Sequence, residues 1–99
     1  MLFRSLGESE VTFFAPAPVA ARLRRRFPES LADAPMMLPA PHTAIRRALD
    51  QWFEHQQLHP RVIAEFDDSA LMKAFGQASG ATFPSPSAIE SEKIGRAHV

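Results

Sequence analysis

The chain has 99 residues, 45% of them apolar, a formal net charge of zero and no cysteine. That length makes one small domain or a piece of a larger one, with a core hiding only roughly two-thirds of the unfolded surface. The charge balance speaks against a nucleic-acid-binding domain, and the lack of cysteine excludes disulfides, cysteine-ligated zinc and thiol nucleophiles.

Met1 to Gly7 carries no usable pattern and lacks the basic-then-apolar build of a signal peptide. No apolar run approaches the ~20 residues of a membrane span, so the expected location is the cytoplasm. Glu10 to Phe14, rich in Val, Thr and Phe, predicts a strand that Pro16 and Pro18 break. Val19, Ala20, Leu23 and Phe27 follow at helical spacing, and Pro28 stops them. Arg22, Arg24, Arg25 and Arg26 cluster near the end of this helix, where cations suit its negative pole. A solvated face explains them more simply than a phosphate-binding patch, which would bring aromatics or a second basic element.

Met36-Met37-Leu38 is a short apolar run ended by Pro39, the pattern of a strand buried on both faces. Pro39 to Thr43 is a turn. Ile45, Ala48, Leu49, Trp52 and Phe53 then stack on one side of the best helix in the chain, with Arg46, Arg47, Asp50, Gln51 and Glu54 opposite. Arg61 to Phe66 resumes as strand. Asp67-Asp68-Ser69 is a polar turn, and Leu71, Met72, Ala74, Phe75 and Ala78 predict a helix that Ser79-Gly80 stops. Ala81 to Phe83 reads as a strand cut off by Pro84. Pro86, Ser87 and Glu90 open a last helix with a capping box. Strands alternating with helices predict an α/β fold with a mainly parallel sheet and flanking helices.

In such sheets ligands sit beyond the carboxyl ends of the strands. Three turns qualify: Pro39 to Thr43, Asp67 to Ser69, and Pro84 to Ser87. Each presents helix-starting amides, and Thr43, Ser69, Ser85 and Ser87 add hydroxyls, making a polar cleft for a small polar or ionic ligand. Asp68 is expected to cap its helix, whereas Asp67 is free to meet a cation or an amine. His42 is a weaker ligand candidate in the first turn. His55 and His59 have the spacing of a metal pair but no third ligand, and Met36, Met37 and Met72 are core filler. No catalytic set emerges, no phosphate loop is present and no cofactor is implied.

These residues resemble a known family. Leu6-Gly7-Glu8, Val11-Thr12-Phe13-Phe14, Leu38-Pro39 ahead of Arg46-Arg47-Ala48-Leu49 and Trp52-Phe53, and above all Glu65 to Gly76, are similar to the effector-binding (substrate-binding) domain of LysR-type transcriptional regulators. The last stretch points to the sodium/proton-antiporter activator branch. The resemblance implies a type 2 periplasmic-binding-protein-like α/β architecture, of which this chain is mostly the second lobe, and a non-enzymatic role. It implies an effector site drawing on Pro41, His42, Thr43, Asp67, Asp68, Ser69 and Ser85, with Asp67 as a sodium contact. It also implies a homodimer or homotetramer when full length, and operator DNA bound only through an N-terminal helix-turn-helix that this chain lacks.

Lys93 to Val99 resembles the translated read-through of a sequencing adapter and shows no apolar period, so 1–92 is the expected partial domain and 93–99 a non-native tail. Two other readings share the architecture: a fragment of a periplasmic-type solute-binding protein, or of a small α/β enzyme.

Overall fold

A computed structural model of the chain describes residues 10–85 and 92–98. The Leu6-Gly7-Glu8 stretch and the predicted helix from Pro86 to Glu90 lie outside them. Strand β1 (Glu10–Ala15) leads into helix α1 (Ala17–Arg24) and a 3-10 segment at Glu29–Asp33. Strand β2 (Pro35–Pro39), helix α2 (Ala44–His55), strand β3 (Arg61–Phe66) and helix α3 (Ser69–Ser79) follow. Strands β4 (Phe83–Ser85) and β5 (Glu92–His98) complete the described chain.

The sheet corrects one expectation: it is mixed rather than mainly parallel. β2 and β3 are parallel, but β1 runs antiparallel to both β4 and β5. A parallel bridge between Met36 and Thr82 stitches the two groups of strands together. It is held by Met37 N–H to Thr82 O at 2.8 Å and Thr82 N–H to Pro35 O at 3.1 Å. Apolar alternation is the same whichever way a buried strand runs, so the pattern of β1 carried no sign of its direction. Pro84, expected to end a strand, sits inside β4 opposite Phe13. Past Thr82, β4 forms a ladder only with β1 among the described residues, which leaves one side where a missing N–H costs nothing.

Two cores lie on opposite faces of the sheet. Phe13, Ala20, Leu23, Met36, Leu38, Leu49 and Phe53 join α1 and α2 to one face. Phe14, Met37, Met72, Ala81 and Phe83 join α3 to the other. Alternation along β1 and β2 does this sorting, since neighbours in a strand point to opposite faces. On β3 the register slips between Met36 and Met37, so that Met36 faces Val62 and Met37 faces Ala64, leaving Ile63 as a bulge.

Helix α2 buries Leu49 and Phe53, as its period predicts. Helix α3 does not bury the stripe expected. Met72 and Gly76 are inside, while Leu71 and Phe75 are 50% and 51% exposed. Gly76 explains the rotation: a Cβ there would stand 2.3 Å from the Phe83 ring, so the helix rests its bare backbone on Phe83. The stretch expected to be a patternless tail forms β5, with Ile94 and Ala97 buried beside β1.

Candidate functional site

The predicted convergence of turns is present, with a different lining. The ends of β2 and β3 and the starts of α2 and α3 surround a hollow of ≈ 190 Å³. Its walls are apolar: Val11, Pro39, Ile45, Phe66, Met72 and Pro84. Polar groups are confined to Thr43, Asp67 and Ser69. The polar cleft expected from sequence is therefore corrected to an apolar hollow with a short polar rim. The strands supply the correction: β2 and β3 finish in Pro39 and Phe66, and the middle residue of β4, Pro84, adds a third apolar wall.

The helix starts are capped from within. Thr43 Oγ1 accepts from Arg46 N–H at 3.2 Å and donates to Ala40 O at 2.7 Å. Asp68 Oδ1 accepts from Ala70 and Leu71 N–H at 2.9 and 3.4 Å, so it is the cap expected of it. Its carboxylate is occupied with its own helix and does not line the hollow. Gly80, at φ 82°, closes the other end of α3 in the left-handed conformation that glycine adopts without strain.

Asp67 is the acid that remains. Its Oδ1 lies 3.3 Å from His42 Nε2, tying the turn after β2 to the turn after β3. Both side chains are about three-quarters exposed, at 75% and 77%, so the contact is solvated and weak. Pro41 and His42 are exposed in their turn. Ser69 sits on the rim. Ser85 is buried opposite Thr12, and the site takes its neighbour Pro84 in its place. His55 and His59 are exposed. Among the described residues no group of His, Cys, Asp or Glu has the makings of a metal cage, and no helix is long and apolar enough to cross a membrane.

Arg46 is the residue that sequence reasoning missed. It was assigned to the solvent face of α2, yet its side chain is only 12% exposed. It donates to Pro39 O at 2.9 Å, to Asp50 Oδ1 at 3.0 Å and to Glu65 Oε2 at 2.8 Å. Burial works against its charge, but the hydrogen bonds and attraction of Glu65 and Asp50 outweigh it and hold its pKa above the ordinary arginine value. It thus clamps the last residue of β2, a wall of the hollow, to β3. An Arg four residues ahead of an Asp on one helix was the visible half of this signal. Glu65, on another strand, was the invisible half.

Strand ends and helix beginnings thus meet at one hollow in an α/β unit whose strands pair both parallel and antiparallel. Residues 1–92 match the LysR substrate binding domain, and the chain belongs to that family. It is similar to the transcriptional activator protein NhaR of Escherichia coli strain K12 and of Shigella flexneri. Identity to each is 36% over 81 residues, which is 82% of this chain and 26% of each relative. The chain thus spans about a quarter of the length of these relatives. No solved structure matches.

Proposed function

We propose that the chain is part of the effector-sensing domain of a LysR-type transcriptional activator and that the hollow beside Asp67 is its share of the effector site. The observation that carries this is the meeting of the β2–α2 and β3–α3 turns at one hollow, within a chain whose matched family is named for substrate binding. In the whole protein, working in the cytoplasm, the effector would favour one arrangement of the lobes, and a subunit assembly would pass it to the DNA-binding heads. The role is regulatory rather than catalytic.

Sodium or alkaline stress is the signal that the antiporter-branch resemblance suggests. Asp67, Thr43 and Ser69 support it chemically, since a carboxylate and two hydroxyls on one rim are the oxygen donors a hard cation prefers. The apolar walls favour a second reading, a small organic effector with a cationic or hydrogen-bonding head. One experiment separates them: reporter activation by the full-length protein in sodium chloride against choline chloride at equal ionic strength. Wild type should respond to sodium alone and Asp67→Ala should lose the response. A response to both salts favours the organic effector, and an Asp67→Ala variant responding like wild type at equal protein level removes Asp67 from the site.

We also infer that residues 93–99 are foreign to the natural chain, as the family match ending at residue 92 supports. Sequencing the source locus tests this: a native reading frame running through His98 and Val99 would overturn it.

A further inference from the structure

At the end of α1 a second hollow, of ≈ 390 Å³, is lined by Arg22, Leu23, Arg25, Arg26, Glu29 and Ser30. It shares no residue with the site beside Asp67. Arg25 and Arg26 follow Arg22 by three and four residues, which brings each of them near it where α1 ends. Arg24 leaves the group and donates to Lys93 O at 2.7 Å.

The walls are held in shape from behind. Leu23 is buried at 5% exposure and anchors the turn in the core. Its carbonyl accepts from Ser30 Oγ at 2.6 Å and from Arg26 N–H at 3.4 Å, while Ser30 N–H donates to Arg26 O at 2.9 Å. The chain after the helix is thereby folded back, and Glu29 and Ser30 face the arginines across the hollow.

Three guanidinium groups meet one carboxylate here, in a chain whose formal net charge is zero. Among the described residues no ion pair reaches Arg22, Arg25 or Arg26. Three cations facing a single carboxylate still repel one another, and an added anion between them relieves that repulsion. Guanidinium forks match the oxygens of a phosphate group, two donors to two acceptors. A concave site made from a single turn fits a small anion. A nucleic-acid polymer needs a basic stripe that extends along its backbone, and a chain of zero net charge supplies no field to steer one in.

The sequence alone favours a solvated face for this cluster, but from its concavity and from guanidinium groups that no ion pair reaches among the described residues we infer that Arg22, Arg25 and Arg26 form a binding site for a small phosphate-bearing anion, distinct from the effector hollow. The test is calorimetric titration of the 99-residue chain with inorganic pyrophosphate at low salt, with amide shifts followed by NMR. Saturable binding is expected, with shifts centred on residues 22–30. Arg22→Gln and Arg25→Gln should each weaken it about tenfold, the loss of one charge-assisted hydrogen bond. Glu29→Gln removes the competing carboxylate and should tighten it, a gain that a damaged fold does not produce. Non-saturable heats, affinity unchanged by all three substitutions, or shifts elsewhere would overturn the site. Tighter binding of a mixed-sequence DNA duplex than of pyrophosphate would overturn the small-anion assignment.

Discussion

Asp67 and Asp68 are adjacent carboxylates with different duties. Asp68 spends its oxygen on two amides of its own helix, and Asp67 reaches across to His42. Asp68→Ala should therefore cost about 1 kcal/mol in urea unfolding, whereas Asp67→Ala should leave the midpoint nearly unchanged. Arg46 has a larger stake. Replacing it with Gln should cost roughly 1–2 kcal/mol, after discounting for the solvent around Glu65. Its pKa is raised in the fold, so its contribution is complete below the unfolded value and fades only as pH climbs through the folded one, deep in alkali. The loss in Arg46→Gln should accordingly be equal at about pH 6 and about pH 9. Thr82 Oγ1 is buried without a hydrogen-bond partner, so Thr82→Val should be neutral or stabilising by up to about 1 kcal/mol in the same assay. The cap at Asp68 was legible in the sequence because its partners lie two and three residues away. The clamp at Arg46 was not, because Glu65 is 19 residues distant and nothing local marks it.

Among the elements, α3 shows most clearly where pattern reading stops. Its limits were legible from Asp68 and Gly80, and its inward face was not. Leu71 and Phe75 weigh more on any hydrophobicity scale than Gly76, yet the contact with Phe83 selects the glycine side. Ala at an ordinary exposed helix position stabilises by roughly 1 kcal/mol over Gly. At Gly76 the added methyl meets a buried ring, and Gly76→Ala should instead destabilise by about 1–3 kcal/mol in chemical unfolding. Phe83→Leu in the same chain should recover part of that loss, since the two sites share one contact. Full additivity of the two substitutions would show that the contact is not what limits the helix.

For the molecule entire, the α/β class and most element boundaries were readable because turn residues and apolar periods are local. The direction of β1 and the apolar lining of the site depend on which distant strands become neighbours. Val62, Ile63, Leu71 and Phe75 remain exposed along the β3 and α3 side. Apolar surface left in water contributes nothing to folding, and a chain of this size starts with a modest core. The isolated chain should be marginally stable, and a cooperative calorimetric transition well above about 60 °C would contradict this.

The bulge at Ile63 has a consequence for what the outer flank of β3 can recruit. β3 has β2 as its only ladder partner among the described residues, so its other flank offers a row of main-chain groups to any passing segment. A stranger laid along that row would fall one residue out of step on crossing Ile63, and its donors and acceptors would no longer meet their mates. The surplus residue thus adds a full stop against runaway fibre growth to a border where Arg61 and Glu65 flank the exposed Val62 and Ile63.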